Sequence, residues 1–119
     1  MTTLRPGAER PEDLTRLFVE RSNAADVDEM LDLYEPTAVM AFPPGQQTVG
    51  PAAIRALFEQ MVALRPAFKL EEQLQTLIVG DIALTATRAR DEAGARAQVA
   101  RRQPDGTWKR VLDRPDFRA

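Results

Sequence analysis

Apolar residues recur at helical spacing in three stretches of the first half of the chain. The first stretch follows Pro11, which suits the first turn of a helix, and predicts a helix to about Ala24. The second follows Asp26, a capping residue with Glu29 at the capping-box spacing, and ends at Pro36. The two apolar faces are Leu14, Leu17 and Phe18, and then Val27, Met30, Leu31 and Tyr34.

Gly50 and Pro51 introduce the third helical stretch, which ends before Pro66. Its apolar face consists of Ile54, Leu57, Phe58 and Met61. Between the second and third helices, the run "TAVMAF" predicts a short strand, and "QQTV" predicts a brief return strand after a Pro-Pro-Gly turn.

The second half of the chain alternates apolar and polar residues, which is typical of strands. Four strands are predicted in the stretches "AFKLEEQLQTLIVG", "IALTATRAR", "ARAQVARRQ" and "TWKRVLD", with a hairpin turn at Pro104-Asp105-Gly106. Three helices followed by a four-strand meander indicate an α+β fold, in which an antiparallel sheet curls around helices. We expect a single domain over residues 11–119, preceded by a loose leader over residues 1–10.

Composition narrows the possible partners and the location. The 119 residues are 44% apolar and 29% charged with a net charge of −2, so no global basic field attracts nucleic acid. No apolar run approaches the roughly 18 residues of a membrane span. The polar start "MTTLRPGAERPE" has no apolar signal core, so we expect a cytoplasmic protein without a membrane partner.

Two residue types are missing, and their absence restricts the chemistry. Without cysteine or histidine there is no thiol nucleophile, disulfide, imidazole base or usual zinc site. The single serine, Ser22, has no histidine to activate it. A hard metal held by carboxylates stays possible, but no calcium-loop or cofactor motif appears, so we expect neither a metal nor a cofactor. Proton transfer is left to Asp, Glu, Lys, Arg, Tyr34 or bound water.

Three stretches together resemble a known superfamily. "NAADVDEMLDLYEPTAVM", "GPAAIRALFEQM" and "RRQPDGTWKRVLD" are similar, in this order, to SnoaL-like and ketosteroid-isomerase-like proteins of the nuclear transport factor 2-like (NTF2-like) superfamily, which has a cystatin-like architecture. The resemblance implies a cone-shaped, curved antiparallel or mixed sheet wrapped around three N-terminal helices. It also implies an internal apolar pocket and a homodimer. Members include isomerases, cyclases, hydrolases and dehydratases, so the fold does not give the function.

The positions that carry catalysis in ketosteroid isomerases are apolar in this chain. The resemblance places the base position at Phe42, the tyrosine position at Phe18 and the second acid at Ala100. The isomerase mechanism therefore does not carry over, because these side chains offer neither a base nor an oxyanion donor. Phe42 has two open interpretations, as a wall of the pocket or as an ordinary core residue.

Polar candidates come from the predicted strands. The family's alternation places Asp113 inside, sets Arg88 on one face with Leu84 and Ala86, and puts Gln98 on the face of Ala100. We predict an Arg88–Asp113 pair that binds a carboxylate or carbonyl ligand, or that orients a water with Asp113 as base. The alternatives are a structural ion pair at the cone mouth, or Arg88 in solvent.

Tyr34 is the second catalytic candidate, with the alternative that it is a core residue with a hydrogen-bonded hydroxyl. The predicted binding wall around a small apolar ligand comprises Phe18, Met40, Phe42, Phe58, Met61, Gln98 and Ala100, together with Arg88. The arginines of the meander are Arg88, Arg90, Arg96, Arg101 and Arg102. Acidic residues lie near them in the sequence, namely Glu71, Glu72, Asp91 and Glu92, which favours cross-strand charge pairing over nucleic-acid binding.

An outer sheet face carrying Leu77 and Val79 is expected to bind a second copy of the chain. Three functions remain open. The chain is an enzyme such as an isomerase, cyclase or hydrolase acting on a small apolar ring compound, a non-catalytic ligand-binding protein, or an interaction module with a filled cone. An open cavity beside Asp113 would favour the first two.

Overall fold

The computed structural model of the chain describes residues 6–88 and 95–115. The elements follow one another as α1 (Asp13–Asn23), α2 (Val27–Leu31), β1 (Tyr34–Met40), β2 (Thr48–Val49), α3 (Pro51–Ala63), β3 (Glu72–Gln73), β4 (Leu77–Val79), β5 (Ile82–Arg88), β6 (Ala95–Arg102) and β7 (Trp108–Arg114). The predicted α+β architecture, with three helices ahead of a meander, is confirmed. The predicted charge partners Arg90, Asp91 and Glu92 lie outside the described residues.

The strands form one mixed sheet in the order β2-β1-β7-β6-β5-β3, and β4 also pairs with β5. β1 and β7 are parallel, whereas the other neighbours are antiparallel. The helices cover the inner face of this sheet, and their packing forms a single core. Its fully buried members include Leu14, Met30, Leu33, Ile54 and Phe58.

Local sequence signals explain where two of the helices begin. The side chain of Asp26 accepts a hydrogen bond from the backbone N–H of Glu29 at 3.2 Å and so caps α2. Gly50, at φ +86°, lets the chain turn into α3, and Pro51 occupies its first position.

Two of the predicted boundaries are wrong. α2 ends at Leu31 rather than near Pro36, because the chain joins the sheet earlier: the Leu33 carbonyl accepts a hydrogen bond from the Arg110 backbone at 2.8 Å, and β1 begins at Tyr34. The stretch "AFKLEEQLQTLIVG" does not form one strand. It forms the short strands β3 and β4, both of which pair with β5.

The described part of the predicted leader, residues 6–10, is fixed to the domain rather than loose. Ala8 is fully buried and accepts a hydrogen bond from the Trp108 backbone at 2.9 Å. Arg21, itself fully buried, donates to the carbonyl of Pro6 at 3.0 Å. The fold therefore includes residues ahead of Pro11, whereas residues 1–5 lie outside the described part.

Candidate functional site

A cavity of about 720 Å³ lies between the helices and the inner face of the sheet. Its wall is mainly aromatic and aliphatic. Six of the eight residues that the sequence predicts as a binding wall line it, namely Phe18, Met40, Phe42, Phe58, Met61 and Gln98. Phe42 is half-buried and lies at the cavity surface. The ring of Phe18 packs edge-on against that of Phe58, with centroids 5.7 Å apart.

The polar end of the cavity is built around the buried carboxylate of Asp113. The Tyr34 hydroxyl donates a hydrogen bond to Asp113 Oδ2 at 2.5 Å. The Gln98 amide donates to Asp113 Oδ1 at 3.1 Å and accepts from the Thr85 hydroxyl at 3.3 Å. Asp113 and Gln98 line the cavity, whereas Tyr34 is buried behind the wall. Both carboxylate oxygens are thus held in place by neutral donors.

Arg110 completes this polar end and is not among the site residues predicted from the sequence. Its Nη1 donates to the Tyr34 hydroxyl at 3.1 Å and lies 3.8 Å from Asp113 Oδ2. Its Nη2 donates to Thr15 Oγ1 at 3.2 Å. The guanidinium also lies over the Phe18 ring, 5.4 Å from the ring centroid, where the negative face of the ring favours a cation.

A β-bulge explains how Arg110 reaches the interior. On β6, Val99 pairs with Leu112 and Ala100 pairs with Arg110, so Val111 is the extra residue of β7. In a regular strand, residues three apart point to opposite faces. The bulge reverses the alternation, and Arg110 and Asp113 are therefore both buried on the inner face. Strict alternation from Asp113 would have placed Arg110 on the outer face of the sheet.

Burial governs the ionisation of Tyr34. Burial raises the pKa of the phenol far above its usual range, and the neighbouring Asp113 carboxylate raises it further, while Arg110 partly opposes this. Tyr34 is therefore a neutral hydrogen-bond donor rather than a phenolate. Burial alone would lower the pKa of Arg110, but Tyr34 and Asp113 outweigh that effect and raise it, so the guanidinium remains charged.

The predicted Arg88–Asp113 pair is wrong. The Arg88 side chain is 71% exposed and binds Glu72 at 2.8 Å on the surface of the sheet. Leu84, Ala86 and Arg88 do share one face of β5, but the residues that point inward are Ala83, Thr85 and Thr87. Arg88 therefore has no part in the cavity. Ala100 is fully buried in the core and does not belong to the cavity wall.

A second polar cluster also lines the cavity. Arg96 binds Glu71 through Nε at 2.9 Å and donates to the carbonyl of Pro115 at 2.5 Å. Thr87 also donates to Glu71, at 3.3 Å. Arg96 belongs to the arginines that the sequence analysis assigned to surface pairing. It does pair with an acid, but it is half-buried and lines the cavity.

Within residues 6–88 and 95–115, no cluster of three or more acidic side chains could hold a metal ion. None of the helices in this described part has the length and apolar character that crossing a membrane requires.

Comparison with known proteins identifies the family. The model of the SnoaL-like domain matches residues 15–112, so the chain belongs to the SnoaL-like domain family. Among curated proteins, nothing matches the chain.

Solved structures with similar folds show which fold the chain shares. A candidate calcium/calmodulin-dependent protein kinase type II association domain from Thiobacillus denitrificans is 20% identical, with a TM-score of 0.72 over 93% of this chain and 98% of that one. An NTF2-like protein from Pseudomonas putida is 19% identical, with a TM-score of 0.65 over 87% and 80%. A ketosteroid isomerase-like protein from Erwinia carotovora is 16% identical, with a TM-score of 0.65 over 91% and 94%. These likenesses show the NTF2-like fold and nothing more specific.

Proposed function

We propose that this chain binds a small, neutral, apolar ring compound in the inner cavity, with a polar group of the ligand directed at Asp113. The observation that carries the proposal is an open cavity of about 720 Å³ with one buried carboxylate at its polar end. This volume lies within the roughly 300–1,000 Å³ that is usual for small-molecule pockets. The aromatic and methionine wall supplies apolar contact, and the convergent polar groups supply orientation.

The charges at the polar end favour a neutral ligand. Arg110 and Asp113 are 3.8 Å apart and compensate each other, so an added charge would find no uncompensated partner there. A carboxylate accepts hydrogen bonds and donates none, and each oxygen of Asp113 still has accepting capacity beyond its one neutral donor. A hydroxyl on the ligand could therefore donate to Asp113.

The proposal also includes a catalytic role for Asp113. Asp113 would act as the general base or would orient a water, and Tyr34 and Arg110 would hold the carboxylate in position. Such a base would support an isomerase, cyclase or hydrolase acting on the bound ring. The base would act from β7, because Phe42 provides no carboxylate at the strand end used by ketosteroid isomerases.

A non-catalytic ligand-binding protein is the second candidate, and one observation favours it. Tyr34 and Gln98 each already donate to Asp113, so the carboxylate is stabilised in the absence of any substrate. The apolar residues Phe18, Phe42 and Ala100 add no reactive group. A filled cone has less support, because Phe18, Phe42 and Phe58 leave the cavity open.

We also propose a cytoplasmic homodimer that forms through the outer face of the sheet. Six aliphatic residues lie in one row across six strands, each paired in register with the next: Val49, Val39, Leu112, Val99, Leu84 and Leu77. Four of them are exposed, and Leu112 is 51% exposed. A hollow of about 270 Å³ lies along the same row. Exposed apolar patches of this kind mark interaction sites, and a two-fold axis would cover both copies at once.

The binding proposal can be tested with a fluorescent three-ring phenol, phenanthrol, in a titration of the wild-type chain. Met61→Trp should fill part of the cavity and weaken binding at least tenfold. Glu59→Trp is the matched control, because Glu59 is exposed on the same helix and does not line the cavity. Saturable binding to the wild-type chain that is weakened only in Met61→Trp supports the proposal. If the wild-type chain does not bind phenanthrol, or if the two variants bind it equally well, the proposal is refuted.

A further inference from the structure

One border of the cavity is formed by the segment that follows α3, residues 64–71, which we call the rim segment. It has no helix or strand, and five of its residues line the cavity: Leu64, Ala67, Phe68, Lys69 and Glu71. Leu64 is 83% exposed and Phe68 is 41% exposed, so apolar side chains sit at the border between the cavity and solvent. The rim segment therefore presents apolar side chains at the edge of the cavity.

A single side chain holds the middle of the rim segment. Asn23, the last residue of α1, donates from Nδ2 to the carbonyl of Phe68 at 2.9 Å. Its Oδ1 accepts from the backbone N–H of Phe68 at 2.8 Å. Within residues 6–88 and 95–115, these are the only hydrogen bonds of positions 66–69. One amide thus satisfies both backbone groups of one residue that lies 45 positions away.

The two ends of the rim segment are attached by other contacts. At the start, the N–H of Leu64 donates to the Met61 carbonyl at 3.1 Å, and Arg65 takes φ +53° as the chain leaves α3. At the end, Glu71 binds Arg96 at 2.9 Å. A segment that is attached at both ends and held once in the middle can move at the middle without losing its attachments.

From this geometry we infer that Asn23 is a latch that controls access to the cavity. When the Asn23–Phe68 hydrogen bonds are intact, Phe68 stays against the cavity. When they break, residues 66–69 move away and a ligand can pass. Both bonds are exposed to solvent, where water replaces a broken partner and the net stabilisation is modest. The latched state is then dominant, and its opening costs only the modest free energy of two exposed hydrogen bonds. This inference rests on the proposed ligand-binding function.

Amide hydrogen exchange tests the latch without any ligand. The Phe68 N–H should be protected in the wild-type chain, because Asn23 accepts its hydrogen bond. In Asn23→Ala, Phe68 should exchange about tenfold faster, the effect of losing two exposed hydrogen bonds, while amides of β5 to β7 keep their rates. Unchanged exchange at Phe68 would overturn the latch. A general rise in exchange rates across the sheet would show that Asn23 only supports global stability. That result would also overturn the latch.

Stopped-flow binding of phenanthrol tests the access role. If the rim segment must open before a ligand passes, Asn23→Ala should raise the association and dissociation rates by a similar factor, about tenfold, and leave Kd nearly unchanged. If the rim segment only contacts the bound ligand and does not open, Asn23→Ala should raise the dissociation rate alone, and Kd should increase. That result, or unchanged rates, would overturn the inference and leave the proposed function standing.

Two further variants make the experiment specific. Asn23→Asp keeps the acceptor for the Phe68 N–H but sets a carboxylate against the Phe68 carbonyl, so it should give intermediate rates. Glu20→Ala changes an exposed residue of the same helix, whose side chain pairs with Arg16 at 3.3 Å, and should behave as the wild type. If phenanthrol does not bind the wild-type chain at all, the proposed function fails, and the access role fails with it.

Discussion

Arg110 and Asp113 lie on the same face of β7, although three positions separate them along the strand. The extra residue Val111 makes this possible, because the bulge reverses the alternation between the two side chains. Their charged groups come within 3.8 Å of each other beside the inner cavity. The polar end of the site thus depends on one irregularity of an otherwise regular strand.

The first prediction concerns the buried charge pair. Arg110→Leu should lower the free energy of unfolding by about 3–5 kcal/mol, because it leaves the Asp113 carboxylate buried without its cation. The double variant Arg110→Leu/Asp113→Leu should lose less than the single variant, since no charge remains unpaired. Urea unfolding followed by the fluorescence of Trp108, the single tryptophan, gives both values. A double variant less stable than the single one would contradict a charge pair at this position.

The second prediction concerns alkaline pH. Because burial raises the pKa of Tyr34, the folded state keeps its proton when an unfolded tyrosine, with a pKa of about 10, releases it. The unfolded state then binds fewer protons, so the free energy of unfolding falls as the pH rises above about 10. Above about pH 10, the free energy of unfolding of the wild-type chain should fall more steeply than that of Tyr34→Phe, by an amount that approaches about 1.4 kcal/mol for each pH unit.

Tyr34 is the single tyrosine, so the ultraviolet absorbance of phenolate reports on this residue alone. In the wild-type chain, phenolate should appear only together with unfolding, as monitored by circular dichroism. Phenolate formation near pH 10 in a chain that remains folded would show that Tyr34 is not buried beside the Asp113 carboxylate.

The third prediction concerns ligand recognition by Asp113. Phenanthrol should bind the wild-type chain about tenfold more tightly than methylphenanthrene, because its hydroxyl can donate to a carboxylate. Asp113→Asn should reduce this preference, because a neutral amide oxygen is a weaker acceptor than a carboxylate, and should leave methylphenanthrene binding little changed. Asp32→Asn is the control, since Asp32 pairs with Lys109 at 3.2 Å away from the cavity. If Asp113→Asn keeps the full preference for phenanthrol over methylphenanthrene, the ligand hydroxyl binds a partner other than Asp113.

The fourth prediction concerns assembly. Leu112→Arg places a charge in the centre of the outer row and should convert a dimer to a monomer in sedimentation velocity experiments. Leu64→Arg makes the same change at an exposed residue on the rim segment, so it should leave the dimer intact. A wild-type chain that sediments as a monomer at micromolar concentration would exclude the proposed assembly.

Much of the fold follows from the sequence, because its signals are local. The Asp26 cap and the Gly50–Pro51 start of α3 depend on neighbouring residues alone. The resemblance to the superfamily then supplies the inward position of Asp113, and the alternation of β6 supplies the shared face of Gln98 and Ala100.

Two features of the site could not be predicted from local patterns. On β5, the larger apolar residues Ile82 and Leu84 point outward and the threonines Thr85 and Thr87 point inward, which inverts the usual relation between apolarity and burial. A dimer that covers the outer face would explain the inversion, because Ile82 and Leu84 would then be buried between the two copies. The second feature is the bulge at Val111, because its position depends on how β6 and β7 pair rather than on the sequence of β7 alone.

The central claim is that the inner cavity holds the ligand, and nuclear Overhauser contacts with bound phenanthrol test it most directly. Ring protons of phenanthrol should show contacts to the methyl groups of Met40 and Met61, which line the cavity. Contacts to the methyl groups of Leu84 and Leu112 on the outer face, with none to the two methionines, would contradict the account.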